Sequence, residues 1–267
     1  MAGHSKWANI KRQKARVDAV KGQTFTKISR AIIVAARNGV ADLDGNFQLR
    51  SAVEKAKAAG IPNENIERAI AKGVGKFSDG NALEAIRYEG YGPGGVAILV
   101  EALTDNRNRT AADLRVALTK NGGNLGETGC VGWLFQQRGV ILLACAQVSR
   151  RSPQGAMLAS LLEEDVLLEL CLEIGADAYE WTEFEDAAAV ELITAPEQLE
   201  PLTQHLKALG YGVAQAELRW IPQNTVVVDN PDQARALWKL MDALENLDDV
   251  QSVAANFELT EAILALA

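Results

Sequence analysis

The stretch that decides the fold covers residues 1–37 and reads MAGHSKWANIKRQKARVDAVKGQTFTKISRAIIVAAR. Its second half repeats apolar residues at the spacing of one helix face. We therefore predict a helix over residues 24–38, capped by Thr24 or Thr26 and ended by Asn38-Gly39. Two further short helices, over residues 47–59 and 62–73, complete a small all-α domain.

The same stretch is strongly basic within an acidic chain. The whole protein has a formal net charge of -8. Residues 1–76 contain 15 Lys and Arg against 6 Asp and Glu, whereas residues 77–267 contain 12 against 29. A basic end on an acidic body is typical of a polyanion contact joined to a part that repels polyanions. The charge distribution therefore predicts nucleic acid as the partner.

The candidate nucleic-acid contacts are cationic side chains suited to the phosphate backbone, together with one aromatic residue. Lys27, Arg30 and Arg37 lie near multiples of 3.6 residues, so we expect them to share an outward stripe of the predicted helix. Trp7 either stacks on a base or packs against the next helix, and packing is the favoured alternative. The full set is Lys6, Trp7, Lys11, Arg12, Lys14, Arg16, Lys21, Lys27, Arg30, Arg37, Arg107 and Arg109.

Arg107 and Arg109 belong to a second candidate contact, the segment TDNRNRT of residues 104–110, which joins a predicted strand to a predicted helix. Thr104, Asp105 or Asn106 can cap that helix. The two arginines would then stand at a helix N-terminus, where the backbone N–H groups and the dipole favour an anion. Loop structure without any ligand is the alternative.

Periodicity after residue 82 changes to alternating strands and helices, with the first strand predicted over residues 96–103 and another over residues 131–135. Residues 138–220 have the β-α-β-β-α-β order of a ferredoxin-like unit, and the flanking pieces would add up to a second such unit. We therefore predict an α+β protein in which a small three-helix domain precedes two ferredoxin-like α/β sandwich domains, one inserted in the other. The predicted domains are residues 1–78, residues 79–136 with 222–267, and the inserted acidic residues 137–221.

Several classes of function are not favoured by the sequence. No apolar run is long enough to span a membrane, and the basic N-terminus lacks the apolar region of a secretion signal. Three dispersed cysteines predict a reduced, cytoplasmic setting, and with only two histidines they favour neither a metal site nor a histidine-based catalytic site. We expect no cofactor, no catalytic residues and no small-molecule substrate.

The run GYGPGG at residues 90–95 matches a dinucleotide-binding pattern literally. However, such a pattern has to follow a strand and open a helix, and this one precedes a strand. A tight turn before the first core strand of the domain is therefore the favoured interpretation.

Long motifs spread over the chain resemble one known family. They are AGHSKWANIK, KGQTFTKISRAI, NIERAIAKG, YEGYGPGGVA, TDNRNRT, GGNLGETGCVGWLF and LENLDDVQSV. They closely resemble the YebC/PmpR family, whose bacterial members are described as probable transcriptional regulators and whose organelle relatives act as translational activators. The resemblance implies three domains and a cytoplasmic, non-enzymatic protein that binds DNA or acts at the ribosome.

Two binding hypotheses and one enzymatic hypothesis follow. The first is a DNA-binding transcriptional regulator that uses the basic N-terminal domain on the phosphate backbone. The alternative is a ribosome-associated translation factor that binds ribosomal RNA through the same surface. An enzyme would need a convergent pocket with a perturbed acid or base, and the sequence offers none.

Overall fold

The computed structural model describes residues 21–75, 83–144, 164–184 and 187–260, together with Ile263. The chain forms two compact units. The larger unit contains the helical segment 21–75 with residues 83–135 and the C-terminal part from Pro222. The smaller unit is formed by residues 136–221. The division into three domains stays a prediction.

The helical segment contains α1 (Lys21–Asn38), α2 (Phe47–Ala58) and α3 (Asn63–Gly73), close to the three predicted helices. Because α1 is already helical at Lys21, Thr24 and Thr26 lie inside the helix and do not cap it. Helix α2 is capped by Asn46, whose Oδ1 accepts from Leu49 N at 3.0 Å. Its side-chain amide donates to Ala35 O at 2.9 Å, so one buried side chain starts α2 and fixes it to α1.

The three helices enclose a core of small and branched residues that includes Ile32, Leu49 and Ile66. Their close approach depends on Gly73, the buried last residue of α3. A Cβ atom there would lie 2.6 Å from Ile33 O and 2.7 Å from Ala36 Cβ. Helices α1 and α3 therefore cross at a distance that only glycine permits.

The larger unit also contains strands and helices from both sides of the smaller unit's sequence. They are β1 (Glu84–Tyr91), β2 (Ala97–Thr104), α4 (Arg107–Lys120), β3 (Asn124–Leu125), β8 (Val226–Val228), α7 (Pro231–Glu245), β9 (Val250–Ala255) and β10 (Phe257–Leu259). Four of the strands form an antiparallel sheet of order β3-β1-β2-β9 with helices α4 and α7, and the short strands β8 and β10 pair in parallel beside it.

Two details of this unit differ from the sequence-based expectation. Strand β1 was not predicted, so the glycine run at 90–95 connects β1 to β2 as a hairpin turn instead of preceding the first strand. Residues 131–135 were expected to form a strand, but Gly132–Leu134 form a 3₁₀ turn.

The smaller unit has the predicted β-α-β-β-α-β order. The elements are β4 (Phe135–Ala144), α5 (Glu164–Ile174), β5 (Ala178–Phe184), β6 (Ala187–Thr194), α6 (Leu199–Ala208) and β7 (Val213–Pro222). The sheet has the strand order β5-β6-β4-β7 of the ferredoxin-like arrangement. Three N-terminal helices followed by antiparallel α/β structure confirm the predicted α+β fold class.

Among the helices that the structure describes, none combines the length and the apolar character needed to cross a membrane.

The close crossing at Gly73 gives a testable prediction. We expect Gly73→Ala to lower the free energy of unfolding of the helical segment by about 1–3 kcal/mol, because the added methyl group overpacks the crossing. This cost exceeds the gain of under about 1 kcal/mol from the higher helix propensity of alanine. Hydrogen exchange of α1 and α3 amides in the full chain measures the effect.

Gly45→Ala is the matched control, because its Cβ atom would first meet the exposed Val40 side chain, at 3.0 Å. Equal protection of α1 and α3 in the two variants would contradict the close crossing.

Candidate nucleic-acid interface

The predicted phosphate contacts fall into two groups in the structure. One group lies outside the described residues and comprises Lys6, Trp7, Lys11, Arg12, Lys14 and Arg16. Lys21 begins α1, and the position of its side chain is not described. The other group contacts further parts of the chain and comprises Lys27, Arg30, Arg37, Arg107 and Arg109.

The three cations of α1 contact the protein itself. Arg30 donates to Asp249 Oδ1 and to Asp248 O, each at 2.6 Å. Lys27 donates to the carbonyl of Glu245, and Arg37 donates to Leu83 O at 3.0 Å. The expected outward stripe is therefore wrong for Lys27 and Arg30, which are partly buried and connect the helical segment to the end of α7 and to the segment between α7 and β9. Arg37 is exposed, as expected, and contacts the residue before β1.

Asp249 is the centre of this contact and is 6% exposed. Besides Arg30, its carboxylate accepts from Thr110 Oγ1 at 2.7 Å and from Thr104 Oγ1 at 3.1 Å. Arg109 donates to Oδ2 at 2.9 Å. Burial by itself would raise the pKa of Asp249, but the bonds from Thr110 and Arg109 and the charge of Arg30 outweigh it, so the pKa lies below its ordinary value.

The N-terminus of α4 is part of the same cluster. Of the three cap candidates in the sequence, Asn106 caps this helix, and its side chain accepts from Arg109 N at 3.1 Å. Arg109 also contacts Asp105 at 2.7 Å, and Arg107 Nε donates to Glu84 at 2.6 Å. The predicted anion site at this helix terminus thus already contacts carboxylates of the chain.

Sequence reasoning missed Asp249 as the partner of these cations. The residue lies in the motif LENLDDVQSV, which contributed to the family resemblance without a role for any one acid. The available signal was a carboxylate at the start of a buried strand, where an acid needs hydrogen-bond donors. Its partners, however, lie 219 and 140 residues away in the chain.

A second buried carboxylate fixes the loop between β3 and β4. Glu89 of β1 is 8% exposed and accepts from Gly129 N at 2.8 Å, Val131 N at 2.7 Å and Gly132 N at 2.6 Å. Burial would raise the pKa of Glu89, but these three backbone hydrogen bonds and the nearby charge of Arg87 lower it below the ordinary value. The loop is therefore held by an ionised acid.

The same loop exposes a large aromatic side chain. Trp133 is 68% exposed, and its Nε1 donates to Cys130 O at 3.2 Å. Tyr91 Oη donates to that same carbonyl at 3.1 Å. Sequence reasoning gave this tryptophan no role of its own.

No group of three or more His, Cys, Asp or Glu side chains within the described ranges is arranged to hold a metal ion.

Full-length relatives carry the name "Probable transcriptional regulatory protein". The relative from Trichormus variabilis is 63% identical over 267 residues, covering 100% of this chain and 99% of the relative. The relative from Nostoc punctiforme is 64% identical with the same coverage. A crystal structure of a conserved hypothetical protein from Aquifex aeolicus has a TM-score of 0.78 and 43% identity, covering 92% of this chain and 94% of that chain. The fold and these relatives define a class of α+β proteins whose named members are called probable transcriptional regulatory proteins.

Two family models assign the chain more closely. The description "TACO1/YebC protein N-terminal domain" matches residues 5–76, and "TACO1/YebC second and third domain" matches residues 83–257. The chain therefore belongs to the TACO1/YebC family, which confirms the resemblance drawn from its motifs.

The Asp249 cluster predicts a large stability effect from a small substitution. We expect Asp249→Asn to lower the free energy of unfolding of the larger unit by about 2–3 kcal/mol. This is below the 3–5 kcal/mol of a fully buried pair, because the Arg109 side chain is half exposed. Urea unfolding of the full chain measures it. Asp248→Asn is the matched control, since only the backbone carbonyl of Asp248 accepts from Arg30; equal midpoints for both variants would contradict the assignment.

The same carboxylate predicts a pH dependence. Because the pKa of folded Asp249 is lowered, its stabilisation is complete above the unfolded value of about 3.9 and is lost as pH falls through the folded value. We expect the stability difference between the wild type and Asp249→Asn to shrink as pH falls from about 5 towards 2. A difference that stays constant over this interval would show that the charge of Asp249 is not responsible. The measurement is urea unfolding at stepped pH.

Glu89 gives a separate prediction about the loop. Its two oxygens accept three N–H groups, whereas glutamine offers one acceptor oxygen, so Glu89→Gln leaves at least one N–H without a partner. We expect hydrogen exchange at Gly129, Val131 and Gly132 to accelerate about tenfold or more, for a loss of at least about 1.4 kcal/mol. Glu127→Gln, at an exposed position of the same loop, is the control and should leave exchange unchanged.

Proposed function

We propose that the chain is a non-enzymatic, cytoplasmic regulator that binds nucleic acid through its basic N-terminal part, with duplex DNA as the first target. The observation that carries the proposal is the charge division between residues 1–76 and residues 77–267. Lysine and arginine side chains that neutralise phosphates supply affinity and position a protein on its nucleic acid without reading sequence.

The contacts of α1 refine which cations carry this function. Lys27, Arg30 and Arg37 stabilise the attachment of the helical segment, and Arg107 and Arg109 contact Glu84, Asp105 and Asp249. We therefore assign the main phosphate contacts to Lys6, Lys11, Arg12, Lys14, Arg16 and Lys21. Exposed Lys57 and Lys72 of α2 and α3 add to the positive field of the same segment.

Ribosomal RNA is the second target that the same charge division supports, because it presents the same phosphate chain to basic side chains. The relatives are called probable transcriptional regulatory proteins, which favours transcription as the process. The translational role enters as the alternative that the family resemblance implied.

Salt dependence tests the proposal. If about five phosphates are neutralised on a duplex, log K falls with log salt at a slope of roughly -4 to -5, a loss of several hundredfold over a fourfold rise in salt. We expect reversal of Lys11, Arg12 and Lys14 to Glu to make the slope much shallower and binding much weaker. Titration of labelled duplex DNA and of ribosomal RNA over stepped salt measures both targets.

The matched control reverses three exposed cations of the acidic body, Arg115, Lys120 and Lys239, to Glu. It changes the net charge by the same amount and should keep the wild-type slope. Equal losses in the two triple variants would show that overall charge, not the N-terminal segment, governs binding. Binding of RNA with the predicted slope, without binding of duplex DNA, would select the second target.

A further inference from the structure

The loop of residues 126–134 exposes one large aromatic side chain close to two buried residues. Val131 is fully buried and Phe135 is 5% exposed, whereas Trp133 between them is 68% exposed. A tryptophan is the largest apolar side chain, and tryptophans are highly buried on average. Its exposure therefore leaves a large apolar surface available to a ligand.

Several hydrogen bonds hold the backbone of the loop that carries Trp133. Glu89 accepts the three N–H groups described above, and Gly126 N donates to Glu89 O at 2.8 Å. On the far side of Trp133, the carbonyl of Leu134 accepts from Gln223 N at 2.8 Å. A side chain held by preorganised backbone loses little conformational entropy when a ligand binds.

One hydrogen bond orients the indole ring. Its one polar group, Nε1, donates to the carbonyl of Cys130 within the loop. Because Nε1 is engaged with this carbonyl, the rest of the exposed ring offers only apolar aromatic surface. Such a surface suits a planar partner that stacks.

A cation, Arg87, lies on the face of the sheet from which Glu89 contacts the Trp133 loop. Arg87 and Glu89 are two residues apart on β1, so their side chains share one face, and the charge of Arg87 acts on Glu89. Arg87 is exposed and lies opposite Glu101 in the register of β1 and β2.

We propose that Trp133 is a stacking platform for an unpaired base of the bound nucleic acid, with Arg87 near the adjoining phosphate. This inference rests on the proposed function, which supplies nucleic acid as the ligand. A base stacked inside a duplex has no free face, so the platform takes a single-stranded, looped or extruded nucleotide. Every base has such a face, so the contact adds affinity without selecting sequence.

The test compares three variants on matched probes. The variants are Trp133→Ala, Trp133→Phe, and Trp181→Ala as a control at another exposed tryptophan, which is 43% exposed. The probes are a labelled twelve-nucleotide single strand, as RNA and as DNA, the same strand with abasic residues at its centre, and a duplex of equal length. Fluorescence anisotropy at stepped salt gives the affinity and its salt slope.

We expect Trp133→Ala to weaken binding of the base-bearing single strand about tenfold and to leave the duplex, the abasic strand and the salt slope unchanged. Trp133→Phe should recover most of the loss, because phenylalanine also stacks. Trp181→Ala should bind every probe like the wild type. RNA and DNA arms that respond alike support stacking, and so does a larger effect on either one.

Two results overturn the inference and are distinguishable. If the wild type binds the probes with a steep salt slope and Trp133→Ala binds the single strand equally well, the platform is wrong and the proposed function stands. If the wild type binds none of the probes, the proposed function fails and the platform fails with it. Equal weakening of all probes by Trp133→Ala also overturns the platform, because stacking requires a base.

Discussion

One buried carboxylate holds the larger unit together. Asp249 receives hydrogen bonds from the end of β2, from the first turn of α4 and from α1, through Thr104, Thr110, Arg109 and Arg30. An ionised acid in a buried position is tolerated only if donors replace its water, and here three elements must be in place to supply them. The attachment of the helical segment to the sheet therefore depends on the satisfaction of a single charge.

This dependence changes the meaning of the basic charge in α1. A lysine or arginine that neutralises an internal acid contributes to folding and is less available to a phosphate. The cations of α1 and of the α4 N-terminus contact the protein, so the cations before residue 22 become the principal candidates for phosphate binding. Asp249 lies outside residues 1–76, so its contact with Arg30 does not change the formal charge counted over those residues.

Local patterns explain what could be predicted from the sequence. The helical periods of α1 to α3, the Asn106 cap and the β-α-β-β-α-β order of the smaller unit are encoded over short distances. Strand β1, EAIRYEGY, was missed because its buried positions include Glu89 and Gly90, so the expected alternation of apolar and polar residues is absent. The hydrogen-bonding partners of the Glu89 side chain are backbone groups of a loop about 40 residues away.

The candidate site was harder to predict for a related reason. Arg30 has the same sequence context whether it faces solvent or a carboxylate 219 residues away, because helical spacing defines a face and not its partner. Trp133 has the opposite difficulty, since a tryptophan between two buried residues reads as part of the core. Both side chains are understood only when Asp249 and Glu89, two acids with no catalytic context, are recognised as structural anchors.

The two anchors lead to different kinds of contact on one unit. Residues 83–135 and 222–260 hold seven Lys and Arg against thirteen Asp and Glu, so this part of the chain repels phosphate on balance. Attraction of a nucleic acid to this surface therefore has to come from a force that does not depend on net charge. Stacking on a fixed aromatic ring is such a force, and screening by salt leaves it nearly unchanged while it weakens the contacts of the basic segment. A molecule that combines the two forces would bind the phosphate chain through its basic N-terminal segment and unpaired bases through Trp133.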